Sequence, residues 1–385
     1  MGKKILIPYL SAGLGHMILA QAIAHFVHRM RPDWDVRLMD AARDLDDELL
    51  RRTFVDLWKV FLGMPPFVSA ALFALERLAP RVARALNRRS FRTAVPKAAA
   101  FLAEYEPDLV MSTHWACTHL FSMARGEKTF PLYYIYGELG ETYSVINCGA
   151  DLYFTLSQRI DDGLARIGID AAHIRRIAMI VDPHMVKSDV PRDVLRRGLG
   201  IPEDNLVVVL SLGGEGIGHT LPFIDAFARH TAGASLVVLT GRNSALLRAL
   251  QQRTWGGAKS ASGGAVIALG YQEDISGIIG AADVLAGKCG TGYAMMAMAM
   301  GVPLIVTHLG APNERGNMLY VVENGFGWYC PRPHLFAERV SVIGKERAAC
   351  RESAGTPAAQ ESAPAAKAPS NGAEIIAEAI VDALT

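Results

Sequence analysis

The sequence predicts an α/β protein made of two doubly wound, Rossmann-like domains in tandem with a cleft between them. Three observations predict it. Apolar runs of strand length recur along the chain and end in glycine and polar residues. Helical periodicity follows several of these turns, as in parallel βαβ units. A glycine-loop start also occurs twice, as Ser11-Ala-Gly-Leu-Gly-His16 and as Ser211-Leu-Gly-Gly-Glu-Gly-Ile-Gly218, about 200 residues apart. In such sheets ligands sit outside the carboxyl ends of the strands, so the residues that follow the apolar runs are the candidate site.

Lys3 to Tyr9 reads as a first buried strand. The turn after it carries Gly13, Gly15 and His16, and then Leu19, Ile23, Phe26, Val27 and Met30 repeat at helical spacing. A glycine turn before a helix can set the helix N-terminus beside an anion; a tight turn without a ligand is the alternative. Asp44 to Arg92 holds a dense apolar block, Phe54 to Phe73, followed by Arg77, Arg81, Arg84, Arg88, Arg89 and Arg92. Aromatic and basic residues together suit the surface of an anionic bilayer. A helical hairpin packed on the first sheet, with a solvated basic face, fits the same pattern.

Asp108–Ser112, followed by His114, and Leu132–Tyr136, followed by Gly137-Glu138, read as two further strands. Leu152–Thr155 is another, and Ser157 caps a helix that ends at Gly168. Pro191 opens the next helix, which places the first domain at 1–190. Asn205–Leu210 begins the second domain, 191–345, and runs into Gly213, Gly214, Glu215 and Gly216. Leu236–Thr240 leads to Gly241-Arg242, and Ala265–Leu269 to Gly270-Tyr271. Val284–Ala286 opens into Gly287-Lys288-Cys289-Gly290-Thr291-Gly292, and Leu304–Thr307 into a polar loop with Asn313, Glu314 and Asn317. Residues 346–372 are rich in Ala, Ser and Pro and lack periodicity, so a disordered linker is expected there, with a short amphipathic helix at 373–385.

Composition narrows the function classes. Half the residues are apolar (51%) and a fifth charged (20%), enough for sizeable cores. The net charge of +1 argues against the broad basic surface that nucleic acid requires. Cys117, Cys148, Cys289, Cys330 and Cys350 form no CxxC pair or framework spacing, so reduced thiols are expected. No signal-peptide core and no apolar run of about 18 residues is found. The expected location is cytoplasmic, either soluble or peripheral on the cytoplasmic membrane face.

The ordered motifs resemble those of glycosyltransferases with the two-domain GT-B architecture. The resemblance is closest to monogalactosyldiacylglycerol synthases and the related processive diacylglycerol glycosyltransferases, of glycosyltransferase family 28. It runs from the first strand to about Pro333. It rests on the two glycine loops, Pro107-Asp-Leu-Val-Met-Ser-Thr-His114, Thr240-Gly-Arg-Asn243, Gly287-Lys288 and, most specifically, Asn313-Glu-Arg-Gly-Asn-Met-Leu-Tyr-Val-Val-Glu-Asn-Gly325. The resemblance implies an inverting transfer of a hexose from a UDP-sugar to a lipid acceptor such as diacylglycerol. It implies no cofactor and no obligatory metal.

It further implies a role for each candidate residue. His16 is the general base, with Glu138 as alternative base or orienting group, because a neutral imidazole near pH 7 suits a hydroxyl. Gly213–Gly216, Arg242, Tyr271, Lys288, Gly290–Gly292, Asn313, Glu314 and Asn317 bind the donor. Gly13, Gly15 and His114 line the acceptor loop. Three departures stand out. Met296 occupies the position of the family's ribose-gripping Glu, Asn313-Glu314 replaces the usual Gln-Glu or Gln-Gln pair, and Gly137-Glu138 replaces Thr-Asp with no His-Pro-x-Trp after it. They keep two alternatives open: a GT-B transferase with a soluble acceptor and another donor such as a TDP-sugar, and an inactive binding or partner protein.

Overall fold

The computed structural model describes residues 2–11, 14–57, 88–127, 129–140, 143–181, 190–202, 204–214, 220–253, 264–310, 314–354 and 371–385, with isolated positions between them. The expected features at Gly13, Glu215 and Asn313, and most of the apolar and basic block at 58–87, lie outside the described residues. The chain forms two compact units. One comprises Met1–Pro183, Ala311–Asn317 and Ser370–Thr385; the other comprises His184–Gly310 and Met318–Pro369.

The first unit contains β1 (Lys4–Tyr9), β2 (Asp35–Asp40), β3 (Leu109–Ser112), β4 (Leu132–Ile135), β5 (Leu152–Thr155) and β6 (Ile174–Arg176). They make one parallel sheet in the order β2-β1-β3-β4-β5-β6. The strand order reverses between β1 and β3, the position where such sheets open a crevice at their carboxyl edge. Ile5, Leu6 and Ile7 are fully buried, as expected for a central strand covered on both faces. Leu6, Met39 and Val110 pack with the helices Ala94–Tyr105 and Trp115–Ala124. The helix Gly372–Leu384 lies against Leu14–Met30 and is tied to it by an Arg29–Glu374 ion pair.

The second unit contains β7 (Leu206–Ser211), β8 (Ala234–Leu239), β9 (Val266–Leu269), β10 (Val284–Lys288), β11 (Leu304–His308) and β12 (Gly327–Tyr329). The parallel order is β12-β11-β10-β7-β8-β9, with the reversal between β7 and β10. Val208, Leu210, Leu236, Val238 and Ala286 form its core with Phe223, Phe227 and Phe336. Each of these buried valines and leucines contributes roughly 1.5–3 kcal/mol by leaving water. At the amino end of β10, Asp283 accepts from Arg192, Arg196, Arg347 and the Val207 amide.

Arg347 explains one difference from the sequence reading. The helix Pro333–Ala354 continues past Glu346 into the segment expected to be a linker, because Arg347 anchors it at 2.9 Å to both Asp283 and the Asn205 carbonyl. Three strands, β2, β6 and β12, also escape the apolar pattern. All three are edge strands, half covered, so they need no continuous apolar run.

Candidate functional site

Two histidines meet at the reversal point of the first sheet. The helix Leu14–Met30 brings His16 from the loop after β1, and the turn after β3 brings His114. Their ring centroids are 4.5 Å apart, edge to face. His16 Nδ1 lies 2.6 Å from the Thr113 carbonyl oxygen. A carbonyl can only accept, so Nδ1 carries the proton and Nε2 of the neutral ring keeps its lone pair. Burial lowers the pKa of His16, and the Thr113 bond opposes that shift in part. His114 is wired the other way. Its Nδ1 accepts the Ala116 amide at 3.1 Å and caps the helix Trp115–Ala124. Burial, reinforced by His16, holds the His114 pKa well below its usual value. At neutral pH the pair therefore presents one free basic nitrogen and one structural cap.

Glu138 follows β4 and is half-buried. Its Oε2 accepts from Asn317 Nδ2 at 2.8 Å, while Asn317 Oδ1 accepts from the Leu139 amide at 2.9 Å. Asn317 is fully buried and spends both ends of its amide on this loop. The Ser157 hydroxyl donates to the Leu139 carbonyl at 2.7 Å. Gly140 packs so closely that a Cβ there would lie 2.2 Å from the Gly316 backbone. Gly137 lies against Leu19, where an added Cβ would meet Cδ1 at 2.9 Å, one helical turn beyond His16. Gly15 is exposed and Glu314 buried.

In the second unit the crevice edge is built from backbone rather than rings. Gly213 (φ +74°) and Gly216 (φ +66°) adopt the left-handed conformation, which L side chains rarely take. The Gly216 amide donates to the Gly213 carbonyl at 3.1 Å, and the Arg242 amide donates to the Gly214 carbonyl at 2.9 Å. A Cβ at Gly216 would lie 2.0 Å from the Thr240 carbonyl oxygen. The loops after β7 and β8 thus lock each other. Lys288 ends β10 at a register shift, and its Cε lies 3.1 Å from where a Gly213 Cβ would be. Gly290 is the N-cap of the helix Thr291–Ala299, with Thr291 and Gly292 in its first turn. The Arg242 guanidinium lies over the Tyr271 ring at 4.3 Å, and Tyr271 is exposed. The Lys288 side chain lies against the Gly213 turn at the β7/β10 reversal, and a helix begins three residues after it, a combination that suits a diphosphate. Met296 is buried in the same helix.

No protein-family model matches the chain. Curated relatives do. A probable monogalactosyldiacylglycerol synthase, chloroplastic, of Glycine max is 28% identical over 362 residues, which cover 88% of this chain and 64% of the relative. The monogalactosyldiacylglycerol synthase of Spinacia oleracea is 27% identical, covering 88% and 66%. The chain therefore spans just under two thirds of the length of these relatives. Solved structures align along the whole chain. HepE of Anabaena in complex with UDP and glucose gives a TM-score of 0.56 at 19% identity, covering 99% of both chains. MurG of Acinetobacter baumannii gives 0.60 at 14%, again 99% of both.

The chain has the GT-B fold and resembles monogalactosyldiacylglycerol synthases.

The GT-B fold also hosts other chemistry. The UDP-GlcNAc 2-epimerase of Neisseria meningitidis, bound to UDP-GlcNAc, gives a TM-score of 0.58 at 13% identity over 99% of this chain and all of that one. Function must therefore be argued from the site. Sequence reasoning passed over three residues of the site: Thr113, which sets the His16 tautomer; Trp115; and Asp40, which ends β2. An acidic residue closing the second strand of a βαβ start is a readable signal, but β2 itself carries little apolar pattern.

Proposed function

We propose that the protein is an inverting glycosyltransferase that moves a hexose from a UDP-sugar to the hydroxyl of a lipid such as diacylglycerol. The observation that carries the reading is the His16 tautomer: Nδ1–H spent on the Thr113 carbonyl, Nε2 with its lone pair. In this reading residues 1–190 bind the acceptor and residues 191–345 the donor. His16 Nε2 takes the acceptor proton as the oxygen attacks the anomeric carbon. The bond from that carbon to the diphosphate oxygen breaks in line, its electron pair leaves with UDP, and the configuration inverts. Lys288, the Gly214 amide and the turn at Gly290–Gly292 take up the negative charge of the leaving group. Glu138, held by Asn317, orients the acceptor or the imidazolium. Tyr271, stacked on Arg242, covers the nucleobase, and Asn313 and Glu314 hold the sugar.

A lipid acceptor is supported by an aromatic path beside the histidines. His114 stacks on Trp115, and Trp115 meets Phe54, which stacks on Phe91 at 5.1 Å. Leu57, Val60, Leu78 and Val82 are exposed in the adjoining segment. That segment, 54–92 with its arginines, is the proposed peripheral contact with the cytoplasmic membrane face. Among the described residues no helix is long and apolar enough to cross a membrane.

Radiolabelled UDP-hexoses offered with diacylglycerol vesicles test the reading. A labelled lipid whose anomeric configuration is opposite to the donor's, by proton NMR, is the expected result; no labelled lipid with any UDP-hexose would overturn it. The buried Met296 favours a second reading, a donor with fewer ribose contacts, and stronger thermal stabilisation by TDP than by UDP would select it.

A further inference from the structure

His114 is 6% exposed, and its Nδ1 is spent on the Ala116 amide at 3.1 Å. A ring nitrogen that accepts carries no proton, so in the neutral ring the proton sits on Nε2. This is the opposite tautomer to that of His16, whose Nδ1 donates to the Thr113 carbonyl. Both Nδ1 atoms are thus anchored on one turn, residues 113–116, and both Nε2 atoms face away from it. The hydrogen bonds of His114 among the described residues run through its amide, its carbonyl and Nδ1, and none uses Nε2. Nor is Nε2 one of the side-chain polar atoms sealed without a partner. It therefore opens onto the carboxyl edge of the first sheet, where the half-buried His16 lies edge to face at 4.5 Å between centroids. An almost fully buried ring that keeps an unspent N–H at a ligand edge requires a partner.

We infer that His114 is a second catalytic residue of the transfer proposed above, on which this inference rests: its Nε2–H donates to the attacking hydroxyl oxygen while that hydroxyl donates to His16 Nε2. A hydroxyl has one proton and two lone pairs. His16 engages the proton and His114 one lone pair, which leaves the second lone pair for the anomeric carbon. In the step the hydroxyl proton passes to His16 Nε2 and the oxygen bonds the anomeric carbon. The bond from that carbon to the diphosphate oxygen breaks, and its electron pair leaves with UDP. His114 exchanges no proton. Burial and the neighbouring His16 oppose its ionisation, so it remains a neutral donor when His16 has become imidazolium. Holding the hydroxyl at two points fixes its orientation before the attack. The same N–H stabilises negative charge that develops on the oxygen as its proton departs.

Two amide substitutions in the full chain separate the roles of the ring. His114→Asn places an oxygen near the Nδ1 position and keeps the cap, but it lacks a donor at the Nε2 position. His114→Gln reaches the Nε2 position with an N–H and loses the cap. Both are compared with wild type for kcat and KM with dioctanoylglycerol and a UDP-hexose, for UDP affinity by calorimetry, and for stability in denaturant. Rates are taken per folded molecule. His114→Asn is expected to keep most of the wild-type stability and all of the UDP affinity. Its kcat/KM should fall roughly tenfold, the upper range for a hydrogen bond between neutral groups. His114→Gln should be the less stable variant and the faster one. His114→Asn with the wild-type kcat/KM overturns the inference, and so does His114→Gln that runs no faster than His114→Asn, since the ring then acts only as a cap. A wild type that labels no lipid with any UDP-hexose overturns the transfer reading and this inference together; a wild type that labels lipid no faster than His114→Asn overturns the inference alone.

Discussion

The two sheets place different chemistry at the same topological address. At the β1/β3 reversal stand two imidazoles with opposite wiring, one offering a lone pair and one capping a helix. At the β7/β10 reversal stand left-handed glycines, a lysine and a helix N-terminus. The first edge offers a proton acceptor in His16; the second offers positive charge in Lys288 and a helix N-terminus. In the proposed reading one doubly wound architecture supplies both halves of a group transfer, and the loops after the strands decide which half.

The largest structural effect is expected on the glycine side. Gly216→Ala forces a Cβ to 2.0 Å from a carbonyl oxygen at φ +66°. Strain on the order of 1–3 kcal/mol should open the loop. Nucleotide binding, read by UDP calorimetry, is then lost while lipid binding survives. Undiminished UDP affinity would mean that this loop does not hold the diphosphate.

A smaller effect separates the two histidines. His114→Ala removes a helix cap and should cost about 1 kcal/mol in chemical denaturation, whereas His114→Asn, itself a good cap, should restore most of it. Equal losses in both variants would point to a role for the His114 ring beyond capping.

A third effect is in pH. Both rings have lowered pKa values in the folded state, so below about pH 6.5 the unfolded chain binds protons that the folded chain refuses. These groups leave stability unaffected above that pH and erode it as pH falls, by up to about 1.4 kcal/mol per pH unit for each ring, until the folded values are reached. Denaturant midpoints between pH 8 and pH 5 check this, and the slope should shrink in His114→Asn. A midpoint that rises on acidification would contradict the neutral assignment of the pair.

How much of this was legible depends on where each residue sits. Central strands such as Val207–Leu210 are buried on both faces and announce themselves as apolar runs. The edge strand Ile174–Arg176 has two exposed arginines and does not. His16 and Lys288 could be found because they follow strands at glycine turns. The partnership of Asn317 with Glu138 spans 179 residues, and no local pattern encodes it. Nor does any local pattern reveal that the Thr113 carbonyl selects the His16 tautomer, a bond across 97 residues. Local propensity shows which loops follow the strands; tertiary approach shows which atoms of them pair.

The division between the two edges is tested most directly by one paired measurement: kcat for lipid glycosylation and Kd for UDP in His16→Ala and Lys288→Ala. Loss of a positioned base should lower kcat roughly 10²–10⁴-fold and leave UDP affinity at the wild-type value. Loss of the ammonium should weaken UDP roughly ten- to hundredfold. If His16→Ala turns over like wild type, or weakens UDP as much as Lys288→Ala does, the base does not reside in the first sheet and the division of labour is wrong.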